Sequence, residues 1–484
     1  LIYRCPRIIV AGLRGGSGKT TLSIGLISAF MERGLGVTPF KKGPDYIDAG
    51  WLSAAAKRPC YNLDPFLIGQ EKVISSFISH FDSDIALIEG NRGVFDGMDS
   101  EGSFSTAKVA KTLRCPVILI IDCSKMTRTI ASMIIGVKKF DPSLRLKAVI
   151  LNQVAGKRHE SILRESIERY TTVPVAGAIY RVGEKTFPER HMGLTPHQEH
   201  PHVEKAISDT ARLIARQVDV DMIIGIAENA PKLRGVKRQP SVKATRGPGH
   251  KKNKGASPRI NAYASVPVRI GVIRDSAFQF YYPENFEELE KAGAEIVEFS
   301  ALKKKALPMI HALYIGGGFP ETHAIALSGN DDLRESLASA IEGGLPVYAE
   351  CGGLMYLGEF LSFGGKKYRM AGVLPVGFTL EEKPQAHGYT IAKAGRENPF
   401  FKKGVVLRGH EFHYSKPVSF KKKKGVYFAF QMQRGQGIKN MMDGLCYKNV
   451  LATYTHTHAL GLRQWTEGML HAAENFRRLR RALP

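Results

Sequence analysis

Short apolar runs alternate with stretches of helical period through the first half of the chain. Arg7–Ala11, Ile85–Glu89, Pro116–Asp122 and Lys147–Asn152 are nearly continuous in apolar, mostly β-branched or leucine residues. Such runs, separated by amphipathic stretches, predict parallel strands buried on both faces of one sheet. The rhythm restarts with Val268–Ile273, Ala312–Gly316 and Leu345–Ala349. Between the two halves, Pro231 to Val266 is rich in Lys, Pro, Gly and Ser and shows no period. It cannot bury enough apolar surface to offset the entropy of ordering, and reads as a flexible linker. The expectation is an α/β protein with an N-terminal unit at 1–230, a basic linker at 231–266 and a second α/β unit at 267–484.

Composition narrows the class. A chain of 484 residues that is 43% hydrophobic and 24% charged is neither collagen-like nor wholly disordered. Its six cysteines form no CxxC pair and lie at no metal-ligand spacing from histidines, which argues against a disulfide framework or a structural zinc. No apolar run reaches the roughly 18–20 residues of a membrane-spanning helix, and no signal-peptide pattern opens the chain. The protein therefore reads as cytoplasmic, with no membrane partner. The net charge of +24 suggests nucleic acid until it is located. Ten Lys and Arg, with no acidic residue, fall between Lys232 and Arg259, and eight more lie in Lys421–Lys424 and at Arg477, Arg478, Arg480 and Arg481. No interleaved aromatics, helix-turn-helix or finger pattern accompany them, so they read as solvated tracts.

The first strand runs into Gly12-Leu-Arg-Gly-Gly-Ser-Gly-Lys-Thr-Thr21, followed by a helical pattern. Glycines let backbone N–H groups wrap a phosphate, a lysine reaches the β/γ oxygens, and a hydroxyl meets Mg²⁺. Arg14, Gly15, Gly16, Ser17, Gly18, Lys19, Thr20 and Thr21 are the expected ATP-binding set. Leu13 stands where the strict GxxxxGK[ST] pattern has its first glycine, and the loop instead fits the shifted form with a basic residue before Gly-Gly-x-Gly-Lys-Thr. Carboxylates collect at strand ends and in the following loops: Asp45, Asp48, Glu89 and Asp96. In a parallel sheet those ends converge on the ligand crevice, where carboxylates beside ATP hold Mg²⁺; Thr20, Asp45 and Glu89 are the expected metal ligands.

A second site is legible further on. Ala349-Glu-Cys-Gly-Gly353 joins an apolar strand to a helical stretch, the geometry of a nucleophile elbow. Cys351 is expected exposed on the turn, its thiolate favoured by the helix N-terminus. The Gly316-Gly-Gly-Phe-Pro-Glu321 loop offers N–H groups for an oxyanion, through Gly316, Gly317 and Gly318 together with Gly352. Tyr454-Thr-His-Thr-His458 supplies two candidate bases on a strand-like alternation.

These motifs together resemble the cobyrinic acid a,c-diamide synthase family, glutamine-hydrolysing amide ligases of cobalamin biosynthesis. The likeness rests on the P-loop, Phe40–Asp48, Asn62–Asp64, Glu89–Gly97, Pro188–Leu194, Phe278–Asn285, Gly316–Glu321, Ala349–Gly353, Gly409–Ser415 and Tyr454–His458. It implies a dethiobiotin-synthetase-like P-loop domain using ATP and Mg²⁺, joined to a class I glutamine amidotransferase domain. Cys351 would attack L-glutamine with His456 as base, and ammonia would meet an acyl phosphate made on a tetrapyrrole polycarboxylate. Lys41, Asp45, Tyr46, Asp48, Asn62, Asp64, Arg92 and Asp96 would serve substrate binding and phosphoryl transfer. The chain departs from the family pattern at three places. His458 stands where related amidotransferases carry the triad glutamate, Asp48-Ala-Gly-Trp-Leu52 lacks the usual Pro and His, and Arg92 replaces a methionine. A sirohydrochlorin-type macrocycle is the alternative substrate. A more remote alternative is a dimerising ParA/MinD-like partitioning ATPase, since Arg14 occupies the place of its signature lysine. That reading gives Cys351 no role. A homodimer is compatible with either.

Overall fold

The computed structural model describes residues 1–181, 189–190, 193–235 and 267–482. The first unit is built on β1 (Arg7–Gly12), β2 (Val37–Lys42), β3 (Tyr61–Leu63), β4 (Ile85–Glu89), β5 (Val117–Asp122), β6 (Leu146–Val154) and β7 (Val175–Tyr180). They form one sheet in the order β3-β2-β4-β1-β5-β6-β7, parallel throughout. Every residue of β1, β2 and β4 is buried, as expected of central strands covered on both faces. The order reverses direction at β1, so the crevice for a ligand opens at the carboxyl ends of β1 and its neighbours. Helices α1 (Lys19–Glu32) and α2 (Ile47–Ala56) follow β1 and β2 directly. The short strand Leu233–Arg234 pairs with Ile2–Tyr3, and the Pro231 carbonyl accepts from buried Arg7, so this unit runs to residue 235, past the expected end at 230. The rest of the basic linker, from 236 to 266, and most of the Pro188–Leu194 motif lie outside the described residues.

The second unit carries a ten-stranded sheet. Its strands are β8 (Val268–Ile273), β9 (Ala294–Phe299), β10 (Ala312–Ile315), β11 (Val347–Glu350), β12 (Ala386–Ala394), β13 (Val406–His413), β14 (Tyr427–Arg434), β15 (Met442–Tyr447), β16 (Val450–Thr453) and β17 (His456–Thr457). The order is β9-β8-β10-β11-β16-β15-β14-β12-β13-β17, parallel from β9 to β16 and antiparallel beyond. A six-residue helix, α3 (Gly352–Leu357), leaves the end of β11. All six cysteines are buried and unpaired. Among the described residues, no helix is long and apolar enough to cross a membrane. Part of the lysine tract is tied down locally, Lys421 to Glu359 and Lys423 to the Val373 carbonyl.

The two units meet closely. The Tyr389 hydroxyl donates to Asp64 Oδ2 at 2.7 Å and its ring stacks on Phe66 at 4.3 Å. Lys72 Nζ donates to the Leu460 carbonyl at 2.6 Å, and His80 faces Glu287 at 3.1 Å. Gly461 lies so near the Leu67 carbonyl that a Cβ there would collide with it.

Candidate active site

The loop after β1 turns on Gly16 and Gly18, whose φ angles of 70° and 93° are left-handed. The Arg14 carbonyl accepts from Ser17 Oγ at 2.7 Å and from Lys19 Nζ at 3.1 Å, while the Asn152 amide donates to the Ser17 carbonyl. The loop is thus held by its own side chains, with Lys19 folded over it. Gly15 has open space beside it, and Thr20 and Thr21 lie in the first turn of α1. The Arg14 guanidinium points outward to Asp122.

Fully buried Lys41, near the end of β2, is the hub of the set expected to serve phosphoryl transfer. Its Nζ donates to Asp48 at 2.6 Å and to Glu89 at 2.8 Å. Burial alone would lower its pKa, but the charges of Asp48 and Glu89 outweigh that and raise it. Thr20 Oγ1 donates to Glu89 Oε1 at 2.8 Å, whereas Glu89 Oε2 is buried without a partner. Burial and the neighbouring Asp48 charge push the Asp45 carboxyl up to about 7. Asn62 braces this loop by donating to the carbonyls of Gly43 and Asp45. Asp64 lies apart: Oδ1 caps the turn at Pro65–Ile68 and Oδ2 takes the Tyr389 hydroxyl. Asp96 Oδ2 accepts from the Gly93 N–H, and Arg92 sits at a left-handed φ of 50° in the same loop.

The elbow is present. Cys351, with φ 47° and ψ −96°, stands in a strained turn between β11 and α3, the conformation that aims a nucleophile out of a strand end. Glycines make the turn fit: a Cβ on Gly353 would meet Ile315, and one on Gly317 would strike the His456 ring. Two expectations are corrected. Cys351 is only 4% exposed, and burial, then the Glu321 charge, push its thiol well up; the Gly352 N–H opposes this and loses. One N–H at the start of a six-residue helix cannot offset full desolvation, so the thiolate has to form with a proton acceptor at hand. The Gly316 N–H is also unavailable for an oxyanion, because it donates to the Tyr281 hydroxyl at 2.8 Å. Gly317, Gly318 and Gly352 remain, and a Cβ on Gly352 would come within 3.0 Å of the Gly318 nitrogen.

His456 opens β17, and a carboxylate absent from the sequence-based set faces it. Glu350 Oε2 lies 3.5 Å from His456 Nδ1, and both residues are buried. Glu350 Oε1 accepts from the Thr457 N–H and hydroxyl, and Oε2 from Tyr314. His458, in the place of the missing triad glutamate, instead meets Glu284 at 3.6 Å under the Tyr282 ring. Glu350 was legible in principle. It ends a buried strand, as Glu89 does.

Residues from both units line one cleft of about 280 Å³. Asp45, Tyr46, Arg92 and Asp96 line it from the first unit, His410, Glu411, Arg434 and His456 from the second. Tyr46 stands at the junction, its ring stacked on Phe280 at 5.2 Å and tilted against His456 at 5.4 Å.

A P-loop sheet joined to a cysteine elbow defines a two-domain, nucleotide-dependent glutamine amidotransferase. Residues 8–194 match the CobQ/CobB/MinD/ParA nucleotide binding domain family, and residues 269–463 the CobB/CobQ-like glutamine amidotransferase domain family. The cobyrinate a,c-diamide synthase of Magnetococcus marinus is 42% identical over 96% of this chain and 96% of its own. That of Archaeoglobus fulgidus is 39% identical over 94% of each chain, and that of Methanosarcina barkeri 37% over 98% of this chain and 97% of its own. The chain belongs to the cobyrinate a,c-diamide synthase family, and as such is an enzyme, a glutamine-hydrolysing carbon–nitrogen ligase.

Proposed function

We propose that the protein amidates the a and c acetate carboxylates of cobyrinate, using ATP and L-glutamine, through acyl-phosphate intermediates. The observation that carries this is the shared cleft: Asp45 and His456, from the two expected half-reactions, line the same cavity. Cys351 Sγ attacks the glutamine amide carbon as His456 takes the thiol proton. The N–H groups of Gly318 and Gly352 receive the oxyanion. Collapse expels ammonia, the proton returning through His456, and water then frees glutamate from the thioester. In the first unit an acetate oxygen attacks the γ-phosphorus and ADP leaves. Lys19 and the Lys41–Asp48–Glu89 set position and neutralise the transferring group. Ammonia then attacks the acyl carbon and phosphate departs.

Thr20, Asp45 and Glu89 suit a Mg²⁺ ion, since Glu89 has a buried, unpartnered oxygen beside the Thr20 hydroxyl. Bound there with nucleotide phosphates, the ion would supply charge neutralisation. The test is Cys351→Ala with cobyrinate and ATP. Glutamine-dependent amidation should vanish, while ammonium salts at raised pH restore it. A folded, ATP-binding variant that cannot use ammonia would overturn the assignment of Cys351, and a wild-type enzyme that amidates sirohydrochlorin in preference to cobyrinate would overturn the substrate.

A further inference from the structure

Three cations line the cleft without an ion pair or side-chain hydrogen bond among the described residues: Lys42 and Arg92 from the first unit and Arg434 from the second. Lys42 is only 5% exposed and burial lowers its pKa; the Asp64 charge opposes this, but the Asp64 oxygens are taken by Tyr389 and two backbone N–H groups, and the cations Arg92 and Lys41 lie near as well. A buried ammonium with no partner is costly unless an anion arrives to meet it. His387, on β12, lies close enough to Arg92 to feel its charge across the domain boundary, and its ring packs on Phe412 at 4.6 Å. The carboxylates in the cleft are already engaged: Asp45 accepts from Asp48 N–H, Asp96 from Gly93 N–H, and Glu411 from the N–H groups of Gln436 and Gly437. What is left is a set of free cations flanked by aromatic walls. That set matches a flat, conjugated ligand with several carboxylates on its rim. A cleft of about 280 Å³ is at the lower end of ligand pockets, so it takes one edge of such a ring and its side chains.

We propose that the amidotransferase unit supplies half of the macrocycle site, with Arg434 and His387 binding, together with Lys42 and Arg92, the peripheral carboxylates that are not being amidated. This rests on the function proposed above and extends it. The second unit is then a binding surface as well as a source of ammonia, and Arg434 is a specificity residue of the ligase reaction. Its guanidinium suits a carboxylate through two parallel N–H bonds, which an ammonium cannot reproduce.

The test measures amidation of cobyrinate by the full chain with ammonium salts as nitrogen source, and direct binding of cobyrinate by fluorescence quenching. Arg434 is exposed to the cleft, so Arg434→Met should fold. The macrocycle KM and Kd should rise roughly ten- to hundredfold, as for loss of one charge-assisted contact. The KM for ATP should not follow, which separates a rim carboxylate from a nucleotide phosphate as the anion bound. Arg434→Lys should recover part of the affinity, and His387→Gln should weaken it less than Arg434→Met does. An unchanged macrocycle Kd in Arg434→Met, with wild type binding cobyrinate, would overturn this proposal and leave the ligase assignment standing. A wild-type chain that binds no tetrapyrrole polycarboxylate would overturn both.

Discussion

Glu350→Gln is the most informative single change in the amidotransferase unit. Glutamine keeps the shape and the oxygen that accepts from Thr457, and Tyr314 can turn its hydroxyl to accept from the new amide. The packing survives; the negative charge facing His456 Nδ1 does not. At 3.5 Å the contact is long for a hydrogen bond but within reach of an ion pair, and such catalytic contacts tighten once substrate is bound. Two unit charges at that range attract by about 4–5 kcal/mol at an effective dielectric near 20. The hydrogen bonds Glu350 already accepts, and its desolvation, reduce the usable part to roughly half. Each 1.36 kcal/mol is a factor of ten in rate, so glutaminase turnover should fall about a hundredfold.

Glutamate release from glutamine and amidation with ammonium salts are the paired assays. Only the first should collapse, because Glu350 acts on His456 and not on the phosphoryl-transfer set. A split between kcat and KM separates orientation from mere structure. Glu350 is the anion that faces His456 Nδ1, so its removal should lower glutaminase kcat and leave the KM for glutamine near the wild-type value. Glu350→Asp, which keeps the charge on a shorter arm, should fall between. Wild-type turnover in Glu350→Gln, or a loss carried by a raised glutamine KM with kcat unchanged, would refute the positioning role.

Asp48→Ala should lower amidation about a hundredfold or more by stripping buried Lys41 of an ion-pair partner, while glutamate release remains detectable; equal loss of both activities in a folded variant would refute the division of labour. Glu411 offers a stability test. Burial pushes its carboxyl up to about 7, from an ordinary value of 4.5, despite two backbone N–H donors. A raised pKa means its contribution to stability is complete below about 4.5 and is lost as pH rises through 7. Glu411→Gln escapes that loss, so its melting temperature relative to wild type should be higher at pH 8 than at pH 5; the same difference at both pH values would sink the argument.

What was legible in the sequence was local. The P-loop follows from glycine spacing between a strand and a helix, and the elbow from small residues around Cys351 at a strand end. The misreadings have distant partners. Gly316 loses its oxyanion role to Tyr281, whose hydroxyl sits 35 residues away in sequence. Cys351 is driven toward the thiol by burial from several elements, a property no five-residue motif encodes. Asp64 looks like one more carboxylate beside ATP, yet it caps a turn and receives Tyr389 from 325 residues on. Arg434 carries no motif at all, and only β14 closing over the first unit gives it a cleft to line.

The segment from Asn62 to Lys72 explains why the two chemistries share that cleft. Asn62 holds the carbonyls of Gly43 and Asp45, and so fixes the loop that presents Asp45 and Tyr46. Two residues on, Asp64 anchors β12 of the other unit through Tyr389. Leu67 then receives Gly461 at backbone contact, and Lys72 binds the Leu460 carbonyl. Leu460 and Gly461 immediately follow the strand that carries His456. One short stretch of the first unit is therefore bonded both to the loop that carries Asp45 and to the turn after His456. The two units cannot slide past each other without breaking a buried hydrogen bond at Asp64 or driving Leu67 into Gly461. Registration of His456 over Asp45 is thus a property of rigid packing, and a ligand seated on Lys42, Arg92 and Arg434 meets a cleft whose two walls are already in place.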